Sequence, residues 1–228
     1  MNLAIIPARK GSKRIKNKNI KLFFGKPIIF WSIKAAKESK LFDKIIVSTD
    51  CKKIAKIANS FGAETPFIRP KKLSNDLVNV DKVIKHSILW FKSKNFFFDK
   101  VCCIYPTAPF MNKEIIREGF KKINNSKKSF SFTLTSFPHP IERALIIKKD
   151  GSIKTKFRNN EKKRSQVFEN LYHDIGQIYW GKSESFLKEK KIFSKNSEAI
   201  YIPRYLAHDI NTDEEWKKAE LVFKVLRG

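Results

Sequence analysis

The chain has 228 residues, 42% of them apolar, with 48 Lys and Arg against 22 Asp and Glu and a formal net charge of +26. That apolar share, with twenty Phe, excludes a disordered chain and supplies the core of one sizeable domain. The cations run from Arg9 to Arg227 rather than in one block, which argues against nucleic acid as the main partner and leaves a small anionic substrate as a sufficient one.

In chain order, Leu3–Ile6 is an apolar run that stops at Pro7 and reads as a buried strand. Pro27–Ser39 has Ile29, Ile33 and Ala36 spaced for one helical face. Lys44–Ser48 is a second strand, and Thr49-Asp50 caps a helix that reaches Phe61 and ends at Gly62. Glu64–Ile68 reads as a short third strand and Val80–Phe91 as a helix. Lys100–Tyr105 is a fully apolar strand in which Cys102 and Cys103 are small buried hydrophobes. Glu114–Ile123 is helical, and Phe130–Thr135 returns to strand. This alternation predicts an α/β fold with a Rossmann-like, mostly parallel sheet flanked by helices.

The pattern changes over about 137–172, where Pro138, Pro140, a turn at Asp150-Gly151 and charged irregular stretches predict an inserted β-rich arm within a single domain spanning 1–228. A strand at Gln177–Trp180, a short helix near Glu184–Lys190 and a strand at Ala199–Ile202 follow. Thr212 to Glu215 has capping-box form and opens a last helix, with Trp216, Ala219, Val222, Phe223 and Leu226 as its apolar face. Three cysteines without a CxxC pair point to reduced thiols in a cytoplasmic protein. Neither a signal peptide nor an apolar run of about 20 residues is present, so no membrane contact is expected.

The first loop carries the chemistry. In Leu3 to Asn19 (LAIIPARKGSKRIKNKN) a buried strand empties into Arg9, Lys10, Lys13, Arg14, Lys16 and Lys18, with Gly11 and Ser12 among them. Backbone N–H groups and clustered cations at a strand end suit a polyphosphate, and a glycine allows close backbone approach.

The order of that strand, PAR-x-GS-K, the KN pair Lys18-Asn19 and GKPII resembles the acylneuraminate cytidylyltransferase family, which makes CMP-linked acidic sugars. The resemblance recurs along the chain. Val47–Asp50 (VSTD) ends the second strand as in the family, with Asp50 either a helix cap or a functional group. Arg69-Pro70 with Leu73 and Asp76 resembles the loop beside the nucleotide base. Tyr105–Phe110 (YPTAPF) resembles the family's QPTSPLR, with Tyr105 in place of Gln. His208–Trp216 (HDINTDEEW) resembles the metal-binding DIDT motif, with Asp209 in the first acidic position and Asn211 where an aspartate is expected. Asparagine still offers a carbonyl oxygen to a hard cation. Two readings of Asn211 stand: a weaker metal site or an impaired enzyme. For Asp209 the alternative is a plain turn residue.

Ser136–Leu145, Arg164-Ser165-Gln166 and Tyr172–Gly181 (YHDIGQIYWG) are similar to the subgroup of this family whose sugar is pseudaminic acid. The resemblance implies transfer of CMP from CTP to a nine-carbon 2-keto sugar acid, with Mg²⁺ as cofactor and pyrophosphate as second product. It implies Ala8, Arg9, Gly11, Ser12, Lys18, Asn19, Arg69 and Asp76 around the nucleotide. Arg9, Lys18 and Asp209 are the expected catalytic groups, and Asp209 with Asn211 the metal ligands. Tyr105, Arg164, Gln166, Tyr172, His173, Asp174 and Gln177 are the expected sugar contacts. It also implies a homodimer joined through the arm. Activation of a different acidic sugar, and a decayed homologue acting as a basic binding protein, stand as the alternatives.

Overall fold

Leu3, Ala4, Ile5 and Ile6 are all 0% exposed, so the strand they form, β1 (Asn2–Pro7), must be covered on both faces. The computed structural model describes residues 1–227. After β1 come the two-residue strands β2 (Leu22–Phe23) and β3 (Lys26–Pro27), then α1 (Ile29–Ser39), β4 (Lys44–Ser48), α2 (Lys52–Ser60), α3 (Val80–Lys92), β5 (Lys100–Ile104), α4 (Lys113–Asn124) and β6 (Phe130–Ser136). The second half adds β7 (Leu145–Ile147), β8 (Ile153–Thr155), β9 (Tyr172–Lys182), α5 (Ser183–Leu187), β10 (Ser197–Tyr201) and α6 (Asp213–Arg227).

Six strands form one sheet in the order β10-β6-β9-β5-β1-β4. β9 is antiparallel to both its neighbours, and the other pairings are parallel. The expected mostly parallel α/β architecture is therefore present. Ala4 and Ile6 pack with residues of α1, α2 and α4 on one face, and Leu3 and Ile5 with residues of α3 and α5 on the other. On the first face α4 presses so closely on β9 that a Cβ at Gly119 would stand 2.6 Å from Trp180 Cδ1. A third cluster joins Phe23, Trp31, Phe110, Trp216 and Phe223 around Ile15, pinning the basic loop from beneath.

Several expected boundaries move, each for a physical reason. Pro27 belongs to a hairpin rather than to the following helix: Phe24 and Gly25 both have positive φ (51° and 75°), and Leu22 pairs with Pro27. The expected third strand at Glu64–Ile68 is reduced to two isolated bridges, Ile46–Glu64 and Thr49–Ile68. Pro66 lies between them and has no N–H to give a ladder. Thr49-Asp50 does not cap α2, whose N-cap is Cys51 with no side-chain cap bond. The short helix expected near Glu184–Lys190 is α5, beginning at Ser183 and ending at Leu187. The capping box at α6 forms as expected, since Thr212 Oγ1 accepts from Glu215 N and Glu215 Oε2 accepts from Thr212 N. Leu226, expected on the apolar face of α6, is 49% exposed, whereas Trp216, Ala219 and Phe223 are buried.

The segment 137–171 forms the β7–β8 hairpin with a turn at Gly151 (φ +81°), as the Asp150-Gly151 pair predicts. Leu145, Ile147, Ile153 and Val167 lie exposed there. No helix among the described residues is long and apolar enough to cross a membrane.

Candidate active site

Pro7 closes β1 and Ile104 closes β5, both at the carboxyl edge of the parallel strands, where α/β sheets leave room for ligands. Two adjoining cavities open at this edge. One, of about 160 Å³, is lined by Arg9, Ser12, Lys13, Arg14 and Lys18, with Asn19 and Tyr105. The other, of about 180 Å³, is lined by Arg69, Leu73, Asn75, Asp76 and Val80. Pro7, Arg9 and Tyr105 border both, so they form one cleft with two lobes. A larger hollow of about 760 Å³ on the arm is bordered by Lys154, Lys156, Arg158 and Lys163 and is open to solvent.

The basic loop is held by bonds that reach distant parts of the chain. Ala8, fully buried, donates its N–H to Ser48 O at 3.0 Å. Asp50, expected as a cap or functional group, accepts from Lys10 N at 2.8 Å and so braces the loop. Asn19 is 6% exposed and donates to Arg9 O at 2.9 Å, which shapes the turn around the cavity. Gly11 has open space around it: a Cβ there would lie 4.0 Å from its nearest neighbour, Arg9 Nη1, so the fold itself does not require a glycine.

Lys18 reaches across to the segment before α6, donating to Ile210 O at 2.7 Å and to Asn211 Oδ1 at 3.3 Å. Burial lowers its ammonium below the ordinary lysine range, and the Asp209 carboxylate pulls the other way. Arg14 donates to the same Asn211 Oδ1 at 2.8 Å. Asp209 is exposed beside them.

Arg69 is 4% exposed, and Ser74 Oγ accepts from its Nε at 3.2 Å. Burial disfavours its charge and Asp50 opposes that effect. Asp76 sits between the lobes, paired with Arg9 and, at 2.7 Å, with Lys13. Lys13 first and Arg9 second hold the Asp76 carboxyl below its usual range.

The structure thus brings Arg9, Ser12, Lys18, Asn19, Arg69, Asp76 and Tyr105 to one cleft, with Asp209 and Asn211 at its rim. The expected sugar contacts divide. Tyr172, His173 and Asp174 pair with Ser136, Thr135 and Leu134, so they sit at the same carboxyl edge. Arg164 and Gln166 are exposed on the arm and are not among the residues lining the cleft. Gln177 is only 1% exposed and donates to Leu206 O at 3.0 Å, which places it in the interior rather than on the cleft wall. Sequence reasoning set Lys13 and Arg14 in the basic run suited to a polyphosphate but gave them no individual role, and both line the cleft. It also passed over Tyr179, whose hydroxyl is bonded to Asp174 Oδ2. The two stand five positions apart along a strand, and nothing in the spacing announces the contact.

The family described as Cytidylyltransferase matches residues 3–221. The pseudaminic acid cytidylyltransferase of Campylobacter jejuni is 39% identical over 224 residues, covering 98% of this chain and 97% of its own. The CMP-N,N'-diacetyllegionaminic acid synthase of Legionella pneumophila is 30% identical over 227 residues, covering 98% and 96%. Among solved structures, a CMP:2-keto-3-deoxy-manno-octonic acid synthetase complexed with CTP superposes with a TM-score of 0.72 over 99% of both chains at 12% identity, a likeness of fold. The chain belongs to the cytidylyltransferase family.

Proposed function

We propose that this chain transfers CMP from CTP to a nine-carbon 2-keto sugar acid, and that the acceptor is pseudaminic acid. The observation that carries the reading is the two-lobed cleft, in which a cation-lined lobe of phosphate-binding character adjoins a second lobe holding a buried arginine. The 39% identity to a pseudaminic acid cytidylyltransferase over almost the whole chain supports the choice of sugar.

In the reaction the anomeric hydroxyl oxygen forms a bond to the α-phosphorus. The bond from that phosphorus to the bridging oxygen breaks, pyrophosphate leaves, and the hydroxyl proton passes to water. Such displacements depend on positioning and charge neutralisation more than on covalent work by the protein. Arg9 and Lys18 hold the triphosphate and stabilise the leaving pyrophosphate, with Lys13 and Arg14 adding to the positive field. Backbone N–H groups around Gly11 and the Ser12 hydroxyl donate to phosphate oxygens. Ala8 and Asn19 keep the loop open around them, and Arg69 with Asp76 borders the cytosine and ribose. Tyr105 stands at the junction of the lobes, with Tyr172, His173 and Asp174 toward the sugar.

Among the described residues no three His, Cys, Asp or Glu side chains converge on one point. Mg²⁺ is commonly held by one or two carboxylates together with substrate phosphates, and the oxygen donors of Asp209 and Asn211 fit that habit. Asp209 offers the charged oxygens, while Asn211 Oδ1 also faces Arg14 and Lys18. Asp209, with Asn211 beside it, would hold Mg²⁺, whose charge when bound polarises the phosphate oxygens.

The exposed apolar residues of the arm give a second copy of the chain a surface to cover. We assign the protein as a cytoplasmic homodimer of single-domain subunits joined through residues 137–172. Arg164 and Gln166, carried on that arm, then serve the partner's sugar site. The test is pyrophosphate release from CTP and Mg²⁺ with pseudaminate, with N-acetylneuraminate as comparison. Release with pseudaminate alone is expected. Release only with the other sugar overturns the choice of acceptor, and silence with both overturns the activity.

A further inference from the structure

β9 enters the sheet irregularly. Its pairing with β6 shifts register between Phe132 and Leu134, and Gly176 adopts a φ of +58°. In a regular strand, residues five apart point to opposite faces. Here the irregular stretch brings Asp174 and Tyr179 together, so that Asp174 Oδ2 accepts from the Tyr179 hydroxyl. Asp174 Oδ1 accepts from Gly176 N at 3.2 Å. An exposed carboxylate is thus fixed through both oxygens, while lone pairs remain for a further donor.

Tyr179 is 5% exposed, and its ring lies 5.8 Å from that of Tyr105, which borders both lobes of the cleft. Burial first, and the Asp174 bond second, keep its phenol in the donating form. Asp174 is thus linked to the Tyr105 side of the cleft through the ring of Tyr179. Tyr105 shares the first lobe with the cations of the first loop. A carboxylate beyond Tyr105 and cations lining the lobe act in opposite senses on the two ends of an acidic sugar.

We infer that Tyr179 is a positioning residue that fixes Asp174 as the acceptor for an N–H or O–H donor of the sugar, and that Asp174 turns the sugar's own carboxylate away from β9. This rests on the proposed sugar-acid acceptor. It adds what selects the orientation of that acceptor: a fixed anion that accepts donors and rejects acids.

The test compares wild type, Tyr179→Phe, Asp174→Asn and the double variant, measuring kcat and KM separately for pseudaminate and for CTP. Tyr179→Phe keeps the ring against Tyr105 and removes only the hydroxyl. The expected result is a rise of about tenfold in the sugar KM, the scale of a lost bond to a charged group, with the CTP KM within about twofold of wild type. The double variant should be no worse than Asp174→Asn, because the two residues act as one unit. Equal rises in both KM values, or additive effects in the double variant, overturn the inference while leaving the proposed function standing. Should wild type use another acidic sugar, the same comparison is decided on that sugar. If wild type turns over no acidic sugar, the proposed function and this inference fall together.

Discussion

The first loop and the arm are both basic, irregular and largely exposed, yet they are built in opposite ways. The loop is tied to remote parts of the chain: Lys10 to Asp50, Lys18 to Ile210, and Ile15 to the aromatic cluster under α6. The bonds of the arm stay mostly within it, as in Lys156 N to Ala144 O at 2.8 Å and Arg143 Nη2 to Lys163 O at 2.8 Å. Its aliphatic side chains face outward, with Ile147 76% exposed. Positive charge alone therefore does not mark a site. What distinguishes the loop is that long-range bonds hold its cations around a cavity, at the cost of desolvating Lys18. The arm instead exposes its aliphatic side chains.

The strongest way to break the comparison is to remove the best-anchored cation. Lys18→Met should lower kcat/KM for CTP by about 10²–10³-fold, the scale of losing one preorganised donor to a developing charge. The melting temperature should shift little, since the variant also removes a partly buried charge. A drop in melting temperature that accounts for the activity loss would make Lys18 a structural residue instead. On the arm, Ile147→Asp with Ile153→Asp should convert the proposed dimer into a monomer in analytical ultracentrifugation, with the melting temperature of the subunit retained. An unchanged sedimentation coefficient would remove the arm as the interface.

A finer test uses Gly11. With open space around it, Gly11→Ala should leave stability within about 0.5 kcal/mol of wild type. The added methyl should still weaken pyrophosphate binding, measured by calorimetry, by about tenfold if the loop backbone approaches the phosphates. The smallest effect concerns Asp76, which shares Arg9 and Lys13 with any incoming phosphate. Asp76→Asn should tighten pyrophosphate by about threefold at low salt, the worth of an exposed ion pair. The Asp76 carboxyl is held below its usual range, so its pairing is complete above the ordinary aspartate range and is lost only as the pH falls through the lowered value. Wild type below that value should bind pyrophosphate like the variant, and a flat comparison would show that Asp76 does not compete.

Much of this was legible in the sequence. Apolar runs such as Leu3–Ile6 and Lys100–Ile104 declare buried parallel strands, because they lack the alternation of a half-solvated sheet. Thr212 and Glu215 declare the start of α6 because both partners of the cap are local. Arg9, Lys18 and Asn19 were readable because the loop concentrates them in one short run. The contacts between Arg14 and Asn211, and between Asp50 and Lys10, were not, since they join residues brought together only by the fold. The first residues of β9 do not read as strand because His173, Asp174 and Gly176 have the composition of a loop. Gln177 defies its sequence reading for a related reason: a polar residue in a strand can face the interior when a carbonyl such as that of Leu206 receives it.

Because β9 runs against the rest of the sheet, its beginning arrives where its neighbours end. The residues lining the two lobes come largely from the end of β1, the loop after it and the segment between α2 and α3, whereas Tyr172–Gly176 come from a separate stretch far downstream. On the proposed assignment of sites, acceptor choice is encoded apart from nucleotide choice. Grafting this short segment between relatives offers a route to new sugar preferences on an unchanged CTP-handling scaffold.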